Sequence, residues 1–320
     1  AGAILLVFPY LRTTAAAGGE TIAVCDVTPG WHAATGKMIA NLLEPSSGQI
    51  LFNGTDITKL SDKEKKDYRL AVQMVHQDPY ASLNPAHTIF DIIAAPLRYH
   101  RLTKNETDTQ HRVRELLELV DLTPPDDLLD KFPHQLSGGQ RQRVSVARAI
   151  TVNPSFIVAD EAVSMVDVSI RISLLKMMTR LKDMLGMSFL FITHDLALAK
   201  YFAWEGRIGV MYLGRLVELS PSAQLVEHPQ HPYTKVLLSA IPEADPDRTR
   251  TKERIELRSM DVPSLLRLPP GCSFNPRCPY FDGEKCERVV PQLTYFNDGS
   301  AVACHPVTRQ RGTEIIKDVV

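Results

Sequence analysis

Two neighbouring stretches constrain this chain more than the rest of its 320 residues. The first, LSGGQ at Leu136 to Gln140, opens a helical pattern in which Val144, Ala147 and Ile150 recur on one face, with Arg141, Arg143 and Arg148 on others. Gly138 and Gly139 remove side chains where that helix begins, so backbone N–H groups and the positive end of the helix dipole can face an anion, most naturally a phosphate. The second, FIVADE, is an apolar run from Phe156 to Ala159 that suits a buried parallel strand and ends in Asp160 and Glu161. Carboxylates at that end of a strand sit where open α/β sheets bind ligands. A glycine-opened helix or a pair of acids is commonplace by itself; the two in this order point to nucleotide handling.

The chemistry available to these side chains is specific. Asp160 suits magnesium, directly or through water, because a hard cation takes carboxylate oxygens and keeps several waters. Glu161 would then polarise a water for in-line attack on a terminal phosphate, and Asp167 is near enough in sequence to line the same cleft. A second apolar strand, Phe189 to Thr193, closes with His194, whose imidazole can donate to a phosphate oxygen. Gln77 also ends a strand-like stretch, where a neutral amide reaches a metal-bound water or a phosphate without adding charge.

Taken together, QDPYASLNP, LSGGQRQRVSVARA, the Asp160–Glu161 pair, SMVDVS and FITHD resemble the ATP-binding subunits of ABC transporters. The resemblance runs from about residue 36 to 306. Within that superfamily LLEPSSGQILFNGTDIT, HPYTKVLLSAIP and GCSFNPRCPY are similar to the oligopeptide/dipeptide importer group. It implies an α/β fold of the P-loop NTPase (RecA-like) class, with an inserted helical subdomain at about 80–152 and a cysteine-containing C-terminal extension. On this reading residues 1–245 form the ABC ATP-binding domain and 246–320 the extension, joined through the polar stretch 243–254.

The same resemblance implies two subunits sandwiching two ATP molecules head to tail. Ser137, Gly138, Gly139 and Gln140 would serve the partner's ATP; Gln77, Asp160, Glu161 and His194 would serve this chain's own. The partners implied are a second ATP-binding subunit, a paralogue or a copy, two transmembrane permease subunits, and indirectly an extracytoplasmic solute-binding protein. The subunit would then sit at the cytoplasmic face of the membrane. Asp78, Pro79 and Tyr80 are the expected permease contacts.

The pattern breaks where that family carries its phosphate-binding loop. Between the strand at Thr21 to Val24 and the helix that includes Gly36 the chain reads CDVTPGWHAAT, with no G-x-x-x-x-G-K-[ST]. Trp31 takes the place of the last glycine, His32 that of the lysine and Ala33 that of the magnesium-binding hydroxyl. A histidine is shorter than lysine and mostly neutral at pH 7, and an indole blocks the approach of backbone to oxygen. Gly36-Lys37 fits an ordinary helix position, not a displaced cradle. The first residues also depart from the family, lacking its usual opening strand pair; Tyr10 is the candidate for stacking on adenine, but Ile4 to Tyr10 reads better as simply a buried strand. A natural loss, a reading fault in the coding DNA and a different nucleotide pose all remain open. The expectation is an ATPase subunit that mainly lends LSGGQ to its partner, with a non-catalytic ABC-like scaffold or regulatory subunit as the alternative.

Basic and acidic side chains number 36 and 37, a net charge of −1, which argues against a nucleic-acid partner. The early apolar run Ala1 to Leu11 is too short to span a bilayer and lacks a basic flank, so a soluble chain is expected. Cys25 is isolated, whereas Cys272, Cys278, Cys286 and Cys304 cluster near the C-terminus. In a cytosolic protein disulfides are disfavoured, so metal or cluster ligation is the better reading. The spacing lacks the C-x2-C knuckles of structural zinc; a 4Fe–4S cluster suits four thiolates and occurs in members of the resembling group, with zinc or reduced thiols as the other readings.

Overall fold

The computed structural model describes residues 4–8, 11–14, 21–26, 31–241, 255–264 and 266–312, with side chains described from residue 34 onward. The chain opens with strands β1 (Ile4–Phe8), β2 (Leu11–Thr14) and β3 (Thr21–Asp26), followed by helix α1 (Trp31–Ile39). An opening strand pair is therefore present, contrary to the expectation from sequence. β1 runs antiparallel to β4 (Gln49–Phe52), Leu6 opposite Ile50, and β4 continues into β5 (Thr55–Asp56). Hydrophobic residues at β1 suit this pairing although the family's sequence pattern is missing there. Tyr10 and residues 27–30 lie outside the described set.

The fold divides into two compact units, one of residues 1–7, 13–21 and 33–192, the other of 8–12, 22–32 and 193–320. In the first, β6 (Val72–Val75), β7 (Phe156–Asp160) and β8 (Ser188–Thr193) run parallel, with Val75 opposite Ala159 and Asp160 opposite Ile192. Every residue of β7 and β8 is buried, which is why both read as unbroken apolar runs rather than alternating ones. Gly36 lets α1 lie close against these strands: a Cβ there would stand 3.1 Å from both Val158 Cγ1 and Ile192 Cδ1. Lys37 beside it is exposed, so this glycine–lysine pair is a packing position, as its register suggests. Tyr68, in α2 (Asp62–Ala71), donates its hydroxyl to the Ile39 carbonyl and secures the last turn of α1.

The helical segment runs through α3 (Pro79–Ser82), α4 (Ile89–Tyr99), α5 (Glu106–Leu119), α6 (Asp126–Leu129) and α7 (Gly138–Ile150). Val113, Leu116, Leu117 and Val120 are fully buried along one side of α5, and α4, α5 and α7 pack on one another. Val144, Ala147 and Ile150 are buried on α7 as their spacing predicts. Arg141 is buried as well, because its guanidinium lies 4.0 Å from the centre of the Tyr80 ring and donates to the carbonyls of Pro133 and His134. Then α8 (Val168–Leu185) ends at Gly186, whose φ of 62° closes the helix in a left-handed turn.

In the second unit β3 lies parallel to β9 (Arg207–Tyr212), and β9 forms a hairpin with β10 (Arg215–Pro221). Leu213 and Gly214 carry positive φ in the two-residue turn. Between the units' described cores and this hairpin in sequence lies α9 (Leu196–Phe202); after it come α10 (Ser222–Glu227) and α11 (Pro232–Ala240). The C-terminal extension pairs with the same hairpin: β11 (Thr294–Tyr295) meets β12 (Ala301–Val302), and β12 lies on β10 with Val302 opposite Glu218. The polar stretch expected as a linker, 243–254, lies outside the described residues. Among the described residues no helix is long and apolar enough to cross a membrane.

Candidate functional site

Parallel pairing carries Asp160 to the end of β7 and turns the chain immediately afterward. Glu161 has φ of 46°, and its N–H donates to the Ile192 carbonyl at 2.9 Å, so the carboxylate is set by backbone beyond the strand end. Both acids are buried, Asp160 at 5% and Glu161 at 7% exposure. Gln77, just past β6, donates its amide to Glu161 Oε2 at 2.6 Å. The pairing joins two residues 84 positions apart that the sequence had assigned to one cleft. Asp167 occupies the N-cap position of α8 with its side chain exposed and no capping hydrogen bond. Arg171 fixes the turn before it by donating to the carbonyls of Val166 and Ser164 at 2.9 and 3.3 Å.

The entrance to α7 is built by a capping box. The Gln140 N–H donates to Ser137 Oγ at 3.2 Å, and the Ser137 N–H donates to Gln140 Oε1 at 3.0 Å. Those two donors are thus engaged, and the N–H groups of Gly138 and Gly139 are the first-turn donors that remain for an anion. The two glycines differ. A Cβ at Gly139 would stand 2.7 Å from Ile170 Cγ2, so this residue is required by the close approach of α8. At Gly138 a Cβ would meet only ordinary contacts, Val166 Cγ1 at 3.8 Å and the Met165 carbonyl at 3.9 Å. Sequence reasoning gave both glycines one role; only the position of Ile170 separates them.

His194 lies in the second unit, exposed in the turn from β8 to α9. The adjacent Asp195 carboxylate accepts the N–H groups of Ala197 and Leu198 at 2.8 and 3.3 Å and so starts α9. Of the three expected permease contacts, Asp78 spends its carboxylate on the Tyr80 N–H at 2.7 Å and Pro79 is buried, while Tyr80 is 61% exposed. Behind this segment Arg148 donates to the Ser82 carbonyl at 2.6 Å. His76, Asn84, His87 and Arg148 line a groove of about 570 Å³. Burial, with the positive charges of Arg148 and Lys37, pushes the His76 imidazole below its ordinary value.

In the extension, Cys272, Cys278, Cys286 and Cys304 line one small cavity of about 10 Å³. No pair of them is bonded. The Cys272 N–H donates to the Cys286 carbonyl at 2.9 Å, and Gly271 makes that approach possible: its φ is 68° and a Cβ would stand 2.5 Å from the same carbonyl oxygen. Burial and the neighbouring thiols push Cys278 up to about 11 and Cys304 up to about 12, and raise Cys272 against the pull of nearby N–H groups. Among the described residues no three His, Cys, Asp or Glu side chains converge closely enough to hold one metal ion. His231, which sequence reasoning passed over as part of a family signature, lines the same cavity.

Buried strand-end carboxylates, an amide paired to one of them and a glycine-opened helix thus lie on one α/β unit. The family described as ABC transporter matches residues 34–164, and the one described as oligopeptide/dipeptide transporter, C-terminal region, matches 217–286. A putative oligopeptide transport ATP-binding protein of Bacillus subtilis, YkfD, is 42% identical over 90% of this chain and 85% of its own length. The oligopeptide transport ATP-binding protein OppF of the same organism is 46% identical over 79% of this chain and 81% of its own. The chain therefore belongs to the ATP-binding subunits of ABC transporters, in the group that carries the oligopeptide/dipeptide C-terminal region. Among solved structures, the ABC protein MJ0796 in a dimer bound to ADP and phosphate superposes with a TM-score of 0.58 at 22% identity, over 69% of this chain and 99% of that one. CbiO1 of Clostridium perfringens gives 0.60 at 21%, over 71% and 90%. At such identity the likeness establishes the fold.

Proposed function

We propose that the chain is the ATP-binding subunit of a peptide importer and acts chiefly by lending the entrance of α7 to ATP held by a second ATP-binding subunit. The names of its relatives support peptide import. The observation that carries the asymmetry is the contrast between two helix entrances. At α7, Gly138 leaves room for a phosphate beside donors already aligned by the capping box. At α1, the helix begins at Trp31, and His32 and Ala33 follow in the register of the family's lysine and hydroxyl. Asp160 and Gln77 suit the oxygen preference of magnesium, which when bound neutralises phosphate charge, but Ala33 contributes no oxygen. Glu161 and His194 would orient water and γ-phosphate only as far as this chain's own site fills.

The groove lined by His76, Asn84, His87 and Arg148 is our assignment for the cytoplasmic segment of a permease, with Tyr80 as the exposed contact at its side of the molecule. This makes the subunit peripheral to the membrane. Hydrolysis by the assembled pair of ATP-binding subunits tests the asymmetry: Ser137→Ala should abolish it while Glu161→Gln changes little. Equal loss from both, or tight magnesium-ATP binding by the isolated chain, would overturn it.

The four cysteines are read as ligands of a 4Fe–4S cluster. Burial holds the thiols of Cys272, Cys278 and Cys304 above their ordinary value, so ligation by them calls for a group whose positive charge offsets the cost of deprotonation. The reading rests on four cysteines lining one cavity, in number suited to a cluster; among the described residues no group of three His, Cys, Asp or Glu side chains is placed to hold a metal ion. Filling so small a space requires the four side chains to rotate outward. Iron and sulfide analysis of anaerobically purified protein tests the reading, and zinc in their place would overturn it.

A further inference from the structure

Arginines of the first unit are compensated as a rule. Arg98, Arg112, Arg114, Arg143 and Arg180 each meet an aspartate or glutamate at 2.5 to 2.9 Å. Buried Arg141 has two carbonyls and the Tyr80 ring instead. Arg148, further along α7 and half-buried, has less. Its Nη1 donates to the Ser82 carbonyl at 2.6 Å, and among the described residues no carboxylate pairs with it and no acceptor meets its Nε or Nη2. The guanidinium stays charged at any working pH, and burial lowers its pKa, the mark of a cation short of counter-charge. A charge withdrawn from water costs free energy unless an ion partner or further hydrogen bonds offset it.

Arg148 lines the groove of about 570 Å³ described above. Arg69, His76, His87 and Asn84 line it as well, and among the described residues no aspartate or glutamate does. Lys37 adds positive charge close enough to bear on His76, which it helps to keep neutral. The Asn84 Oδ1 accepts the Ala86 N–H at 3.0 Å, which leaves the side-chain N–H groups of Asn84 to donate. Other parts of the wall are apolar: Ile92, Ala95, Pro96 and Leu42, the last 57% exposed. Cations and donors without an acid call for an anion, and the apolar wall calls for hydrophobic side chains against it. A free phosphate would satisfy the first and leave Leu42 in water, so the occupant that fits is a segment of protein that carries both.

We infer that the permease segment seated in this groove carries an aspartate or glutamate that pairs with Arg148, with apolar residues beside it. The inference rests on the permease reading of the groove and deepens it by naming the chemistry of the contact. Pairing gives Arg148 the counter-ion that its own chain withholds, and the open Nε and Nη2 edge of the guanidinium matches a carboxylate bidentately. The charge that admits an acidic segment also rejects a basic one, so Arg148 selects the partner as well as holding it.

The test uses the transporter assembled with its two permease subunits. A p-benzoylphenylalanine placed at the exposed His87 should cross-link on irradiation to a permease peptide that contains an aspartate or glutamate. Arg148→Glu should weaken binding of the subunit to the permease at least about thirtyfold, as should lysine in place of the captured acid, and the two changes together should restore most of the affinity. A captured permease peptide without an acid, or a double variant that binds no better than the single ones, would overturn the inference and leave the permease reading standing. Capture of a second copy of this chain, or of no permease peptide, would overturn both. Should Arg148→Glu fail to fold, Arg148→Gln keeps an amide donor for the Ser82 carbonyl: its permease binding should fall less steeply with added salt than the parent's, and parallel slopes would refute the ion pair.

Discussion

The unequal surroundings of the two signature glycines make a sharp test of how α7 works. Gly138→Ala adds a methyl group at 3.8 Å from Val166 Cγ1 and 3.9 Å from the Met165 carbonyl, distances of normal contact. Alanine gains at most about 1 kcal/mol over glycine in a helix, and less in its first turn, so this variant should be as stable as the parent or slightly more so. Gly139→Ala takes the same propensity gain but drives its methyl to 2.7 Å from Ile170 Cγ2. Overpacking of this kind costs about 1–3 kcal/mol. That term is the expected stability gap between the two variants, or about 2–12 °C in melting temperature at about 2–4 °C per kcal/mol. Function should run the other way for Gly138. A methyl there intrudes where phosphate approaches, and losing one hydrogen bond to a charged group is worth about 1.5–3 kcal/mol, roughly a 10- to 150-fold fall in hydrolysis. The assays are thermal denaturation of the isolated chain and ATP hydrolysis by the assembled pair of ATP-binding subunits. A Gly138→Ala protein that melts as low as Gly139→Ala would refute the packing argument; one that melts normally and hydrolyses at the parental rate would refute the lending of α7.

Other outcomes follow from single contacts. Gln77→Leu removes the 2.6 Å donor to the Glu161 carboxylate and should cost about 1.5–3 kcal/mol in urea denaturation; parental stability would show that this pairing contributes nothing. Tyr80→Ala strips the ring from the Arg141 guanidinium 4.0 Å away, which should cost about 0.5–1 kcal/mol at so exposed a site. In a reconstituted transporter the same change should reduce peptide uptake more than hydrolysis, and an equal fall in both would remove Tyr80 from the permease contact. His76 has a folded pKa depressed below 6.5, so below that pH the unfolded chain takes up a proton that the folded chain refuses. Stability should therefore fall on acidification more steeply in the parent than in His76→Gln, and parallel pH profiles would deny the depression.

How far the sequence could carry these conclusions depended on whether a residue's role is set along the chain or across it. Strands β7 and β8 were legible because burial on both faces leaves unbroken apolar runs, and α5 because Val113, Leu116, Leu117 and Val120 keep helical spacing. The pairing of Gln77 with Glu161 was anticipated only through the resemblance, since no local pattern announces a contact across 84 residues. The burial of Arg141 was not legible for the same reason: it is created by Tyr80 and by the carbonyls of Pro133 and His134, none of which shapes the α7 pattern. The opening strand was legible as an apolar run at Ile4 to Tyr10, since pairing with β4 asks only for extended apolar residues, but the strand pair was not, because the family's motifs fail there. Gly138 and Gly139 show the limit most plainly. Adjacent and chemically identical, they differ only in what α8 places beside them, so a motif can say that a helix entrance accepts a phosphate but not which glycine makes the room.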